Sequence, residues 1–268
     1  MAIILIPLPS CDFDPTESAV PWQLLHRQGH RIVFATPDGK PAKADSKTLD
    51  GHGLGPFAAL LRADANGRAA YADMTRSREF RHPIPYQDLR STQVDAVLLP
   101  GGHAPGMRPY LESDGLQRLI AEMFEQTRPV AAICHGVLLV ARSTSRTGRS
   151  VLHGRKTTGL TRSMELCAWA LTCFKVGDYY RTYPTTVEDE VRSLLARPDD
   201  FVRGPFAWRR DTPSHPDHGF ALCDGSYVSA RWPGDAHCFA AQFASILNAY
   251  DSNRGSAAVS PREERADQ

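Results

Sequence analysis

The chain predicts an α/β fold: a mostly parallel sheet, buried on both faces and sandwiched between helices. Three observations carry this. Short, mainly apolar runs with β-branched residues recur at 2–6, 31–35, 94–99 and 130–133, the pattern of strands covered on both faces. Helix-permissive or amphipathic stretches separate them, giving the βαβ rhythm of a parallel sheet. The 268 residues, 42% of them hydrophobic, suffice for one large core, so residues 1–250 are expected to form a single domain.

In chain order, residues 2–6 read as the first central strand. A loop over 7–17 leads to a helical pattern over 18–28, stopped by Gly29. The strand at 31–35 ends in Thr36-Pro37-Asp38-Gly39, turn chemistry. Residues 40–90 are rich in Gly, Ala, Arg and Asp, with weak helical pattern near 57–62 and 72–80, and are expected to be an excursion over the sheet. The strand at 94–99 runs into Pro100-Gly101-Gly102-His103. Residues 111–126 place Leu111, Leu116, Leu119, Ile120 and Met123 on one helical stripe, which returns the chain to the strand beginning at Val130. A polar loop over 143–150, a short extended piece at 156–159 and a helix over 162–171 follow. Residues 174–211 are irregular and aromatic; they read as an inserted cap-like segment or a dimer surface. Asp224-Gly225 between two apolar runs is a hairpin signal. Asp235 is a suitable N-cap for a last helix over 236–249, and residues 251–268, without apolar periodicity, are expected to be a mobile tail.

Composition excludes several classes. Lys and Arg number 31 against 30 Asp and Glu, so no cationic surplus points to nucleic acid or to an anionic membrane surface. Six scattered cysteines without framework spacing fit free thiols in a reducing compartment better than disulfides. The first apolar run lacks a basic flank and is too short for a signal peptide, and no run is long enough to span a bilayer. A cytoplasmic location is therefore expected. The cysteines show no zinc spacing. His215-Pro216-Asp217-His218 puts two imidazoles on one loop, but no metal is expected there.

Chemistry concentrates at Ala131-Ala132-Ile133-Cys134-His135-Gly136, read as strand, sharp turn and helix. A thiol on such an elbow projects from the sheet toward the unpaired amides of the following helix, which favours thiolate. The bland alternative is an ordinary buried cysteine. Gly101 and Gly102, after a strand, permit backbone that points amides at an oxyanion; the alternative is a plain glycine turn. Glu17 follows the first strand and so lies at the binding crevice of an open α/β sheet. Both Glu17 and Glu165 also fit solvated first-turn positions that complement a helix dipole.

Taken together, the elbow, Pro100-Gly101-Gly102-His103, Asp14-Pro15-Thr16-Glu17, and the Asp224-Gly225 hairpin followed by Pro233-Gly234 resemble the ThiJ/PfpI superfamily of class I glutamine amidotransferase-like proteins. The likeness extends nearly to Ala249 and is strongest to the larger chaperone and glyoxalase III branch, in which histidine directly follows the cysteine. The resemblance implies a flavodoxin-like sheet, a homodimer, and no metal or organic cofactor. It also implies roles: Cys134 as nucleophile, Glu17 as the acid bonded to its sulfur, His135 as base, Glu165 as the carboxylate orienting that base, and the amides of Gly102 and His135 as oxyanion hole. Gly101, His103, Arg76, Met107 and Tyr183 are candidates to line the pocket. A glutamine amidotransferase takes its histidine and acid from a downstream pair; none is placed here to serve Cys134, so amide transfer is not expected.

The activity so implied is glutathione-independent glyoxalase or deglycase chemistry on a small aldehyde, through a hemithioacetal on Cys134, with lyase or hydrolase character. Two alternatives stay open: a holdase chaperone or oxidative-stress sensor, and a hydratase or lyase acting on another small electrophile.

Overall fold

A computed structural model describes residues 1–206 and 209–259, and beyond residue 252 the backbone alone. Its main sheet has seven strands in the order β5-β3-β1-β6-β7-β9-β8. These are β1 (Ile3–Pro7), β3 (Arg31–Thr36), β5 (Ile84–Pro85), β6 (Ala96–Leu99), β7 (Val130–Ile133), β8 (Ala221–Asp224) and β9 (Tyr227–Ala230). All pairings are parallel except β8 with β9, the hairpin that turns at Asp224 and Gly225. Counting only β1, β3, β6, β7 and β9, the order is the doubly wound 2-1-3-4-5 of a flavodoxin-like sheet, whose direction of winding reverses between β1 and β6. A separate pair, β2 (Cys11–Phe13) with β4 (Lys43–Ala44), lies beside this crevice.

Strands β6 and β7 are buried along their whole length, as their unbroken apolar sequences require. The helix Pro15–Arg27 packs on Ala65–Arg76 and on the last helix, Ala236–Val259. The helix Gly136–Arg142 packs on Asp114–Glu125 and on Val187–Leu194. Among the described residues no helix is long and apolar enough to cross a membrane.

Several boundaries depart from the sequence reading. The first helix starts at Pro15, because Asp14 accepts the amides of Thr16 and Glu17 and so caps it. The 40–90 excursion contains a full helix, Ala65–Arg76, capped by Asp64 on Gly67 N–H, and contributes the edge strand β5. The last helix continues past Ala249 to Val259; the expected tail beyond it lies outside the described residues.

Candidate active site

Cys134 follows β7 directly and has φ +77°, a left-handed conformation that costs a side chain about 1 kcal/mol. The fold holds it there. Cys134 N–H donates to Ala230 O at 3.1 Å, and Val137 N–H donates to Cys134 O at 3.3 Å. Two glycines make room. A Cβ at position 136 would stand 2.2 Å from Leu99 O, and one at Gly101 would stand 2.8 Å from Cys134 Cβ and 2.7 Å from His135 N. The ends of β6 and β7 therefore approach more closely than side chains permit.

Glu17 reaches the same point from the other side of the switch. Its Oε2 accepts the Gly101 N–H at 2.9 Å, and its carboxyl lies beside the Cys134 thiol. Burial, reinforced by the neighbouring Asp14, holds Glu17 well above the ordinary carboxylate range. Asp14, itself buried, is pushed up to about 6. Burial, then Glu17 and Asp14, drive the Cys134 thiol well up as well, against the pull of the His135 N–H. This corrects the expectation of a thiolate. The helix-end effect is present, but desolvation and two acids outweigh it, and the resting sulfur carries its proton.

His135 lies buried beside it, with Nδ1 3.7 Å from Cys134 Sγ and Nε2 3.2 Å from Thr182 Oγ1. The Thr182 hydroxyl donates to His103 O. A carbonyl can only accept, so the threonine proton is committed there and Thr182 Oγ1 accepts from His135 Nε2–H. The imidazole thus carries its proton on Nε2 and turns the Nδ1 lone pair to the thiol. Burial, with His103 and Arg142 nearby, keeps the ring neutral well below its usual pKa.

Glu165 stands elsewhere. It is buried in the first turn of the helix Arg162–Val176, where Oε2 accepts Val187 N–H at 2.9 Å and Oε1 lies 3.8 Å from Arg181 Nε. Among the described residues it makes no hydrogen bond to His135; Thr182 occupies the place expected for it. Burial pushes Glu165 up to about 7. Of the pocket candidates, His103 sets its ring edge-on to His135 with centroids 5.0 Å apart, and burial lowers it to about 4. Met107 is buried against Gly102, whose Cα faces Met107 and Asp12. Tyr183 turns outward, donating to Glu112 at 2.8 Å and accepting from Arg142 at 3.0 Å. Arg76 is exposed at the surface and paired with Asp73, apart from the thiol, because its helix ends facing solvent.

Sequence reasoning missed Thr182 and the covering role of its neighbours. Residues 179–182 pack over His103 and His135, and Cys134 is 0% exposed and His135 1%. This cover is latched at several points. Tyr179 donates to Asp45 at 3.0 Å, and Arg108 donates to Thr182 O through Nε at 2.9 Å and Nη2 at 2.6 Å. Tyr180 sets its ring 5.4 Å from that of His103. The only sequence signal was the aromatic run beginning at Tyr179. A surface cleft lined by His26, His30, Phe34 and Glu79 lies at the far end of the first helix from Glu17 and contains none of this machinery.

Ligand atoms of His103, Cys134 and His135 lie within 4.8 Å of one another, all buried. Those of His215, Asp217 and His218 do so on the open surface.

A cysteine on a strand-to-helix elbow, at the switch point of a 2-1-3-4-5 sheet and beside a buried acid from the first helix, defines a class of flavodoxin-like proteins built around a reactive-cysteine position. The chain belongs to the ThiJ/PfpI family: the family described as ThiJ/PfpI family-like matches residues 8–205. An uncharacterized protein of Schizosaccharomyces pombe is 30% identical over 52% of this chain, which spans 53% of that protein's length. Deglycase PfpI of Pyrococcus furiosus is 22% identical, covering 88% of this chain and 94% of its own. The glutathione-independent glyoxalase hsp3101 of Schizosaccharomyces pombe is 25% identical over 56% of this chain and 59% of its own. Among solved structures, glyoxalase III from Candida albicans superposes with a TM-score of 0.67 at 18% identity, over 91% of this chain and 96% of that one. That likeness carries the fold.

Proposed function

We propose that this protein is a cysteine-dependent enzyme acting on small reactive carbonyls, a glutathione-independent glyoxalase or a related deglycase. One observation carries the reading: the proton-free Nδ1 of His135 faces a protonated Cys134 thiol at 3.7 Å, its tautomer set by Thr182. Such a pair suits nucleophilic addition with general-base assistance. As Sγ bonds to the aldehyde carbon of a 2-oxoaldehyde, the thiol proton passes to Nδ1 and on to the carbonyl oxygen, giving a hemithioacetal. Nδ1 then removes the hydrogen from that carbon and returns it to the neighbouring one through an enediol. The first carbon ends as a thioester and the second bears a hydroxyl. Water adds to the thioester, sulfur departs with a proton, and a 2-hydroxy acid is released. The net change is addition of one water. The amides of His135 and Gly102 serve the enediolate, with a contribution on the order of 3 kcal/mol per donor. Glu165 acts through Arg181 and the cover. Deglycation begins with the same sulfur–carbon bond.

The names of the related deglycase and glyoxalase support this class of substrate. A stress-sensing thiol needs exposure and a low pKa; the buried, protonated Cys134 favours the enzyme. Residues 1–250 act as one domain, and the protein works as a homodimer; Leu60, Phe174 and Phe206 are large apolar side chains on its surface.

The test is D-lactate formation from methylglyoxal without glutathione, comparing wild type with Cys134→Ala and His135→Ala. Turnover in wild type, lost in both variants, is expected. No turnover above buffer, with Cys134 still open to alkylation, rejects the reading.

A further inference from the structure

The proposed reaction leaves one buried group unused. Among the described residues, His103 is 9% exposed, its Nδ1 has no hydrogen-bond partner, and its ring packs edge-on against His135 and Tyr180. An imidazole is a costly side chain to bury with a bare lone pair or an undonated N–H. Around it stand the other components of a cation site. Cys134 Sγ and His135 Nδ1 are 3.7 Å apart, and the ligand atoms of all three residues lie within 4.8 Å of one another. His135 donates its second nitrogen to Thr182, the outer support that metal-binding imidazoles characteristically have. Glu17, buried beside the sulfur, leaves Oε1 without a hydrogen-bond partner among the described residues.

We propose that Cys134, His135 and His103 bind a zinc ion, with the Glu17 carboxylate or a water as fourth ligand. One sulfur and two imidazole nitrogens are a borderline-soft set that zinc accepts in tetrahedral array. Ligand atoms in such an array lie about 3.3–3.5 Å apart, so atoms already within 4.8 Å of one another meet one ion by side-chain adjustment. Binding forms a Zn–S bond and releases the thiol proton to water. The bound ion occupies the sulfur lone pair and the His135 nitrogen together, so zinc holds the protein in an inactive, oxidation-protected state. That consequence rests on the reading of Cys134 as nucleophile. The binding itself does not.

The experiment uses the full chain, stripped with a chelator and titrated with zinc against a chromophoric competitor. Cys134 alkylation by iodoacetamide is mapped by mass spectrometry with and without one equivalent of zinc. His215→Ala/His218→Ala removes the surface cluster. His103→Phe keeps a ring in the core without a ligand atom. One zinc per chain is expected in wild type and in the surface variant, and it slows Cys134 alkylation more than about tenfold. Affinity is expected to fall at least about tenfold in His103→Phe and in Cys134→Ala. Zinc that disappears with the surface cluster, or alkylation unaffected by one equivalent of zinc, overturns the site. Should His103→Phe not fold, alkylation of the wild type decides alone. Methylglyoxal turnover is read in the same zinc-free preparation. Its absence with zinc stoichiometry intact sinks the carbonyl reading and leaves the metal site standing, and the converse sinks the metal site alone.

Discussion

Thr182 Oγ1 lies 3.2 Å from His135 Nε2, and its own proton is committed to the His103 carbonyl. A residue 47 positions from the histidine thereby decides which imidazole nitrogen faces the thiol. Thr182→Val keeps the shape and removes the acceptor. Its kcat on methylglyoxal is expected to fall roughly ten- to a hundredfold with KM nearly unchanged, because the wrong tautomer becomes accessible. Steady-state kinetics of the two proteins check this; a loss confined to KM would mean that Thr182 touches substrate instead.

Glu17 raises the Cys134 pKa by its charge. Glu17→Gln keeps an acceptor for the Gly101 N–H and removes that charge. The pH profile of Cys134 alkylation is expected to move to lower pH in the variant. An unmoved profile would leave burial and Asp14 as the causes.

Glu165 is pushed up to about 7 in the folded chain, against about 4.3 in an unfolded one. The folded state therefore holds the proton more tightly. Its contribution to stability is complete below about pH 4.3 and is lost as pH rises to about 7. The stability of wild type relative to Glu165→Gln is expected to decline across that window and to be level above it, as followed by urea denaturation at stepped pH. A flat difference would show that Arg181 neutralises the carboxylate fully.

The cover is latched through the Tyr179 hydroxyl on Asp45. Tyr179→Phe is expected to speed alkylation of Cys134 severalfold without lowering its pKa. Equal rates in both proteins would mean that reagent enters by another path.

Cys134 is held at φ +77°. Cys134→Ala keeps that strain and Cys134→Gly relieves it, so the glycine variant is expected to be the more stable by about 1 kcal/mol. Paired chemical denaturation measures the difference.

Much of the fold was legible because its central strands are unbroken apolar runs, which leave few alternatives. The edges were not: β4 and β5 are two residues each, too short to show any period. The helix Ala65–Arg76 was read late and short because Gly67 and its polar face blur the pattern, while its cap, Asp64, stands outside it. At the site, Cys134, His135 and Gly101 were legible since each sits just after a strand, and Glu17 since it opens the helix that follows the first strand's loop. Thr182 was not, for a lone threonine in an irregular stretch carries no local signal. Glu165 was legible as a first-turn acid but neither as buried nor as to partner, because its donor, Val187 N–H, is set by where the helix Val187–Leu194 begins. The thiolate expectation failed for a related reason: the burial of Cys134 and the approach of Glu17 and Asp14 are tertiary facts.

The hydrogen bond from Cys134 N–H to Ala230 O joins the elbow to one of the last strands the chain makes. During synthesis the cysteine leaves the ribosome well before the strand that fixes its left-handed turn, and before the threonine that selects the tautomer. The nascent protein therefore carries an ordinary exposed thiol, and its burial beside a histidine of fixed tautomer comes only with completion of the sheet.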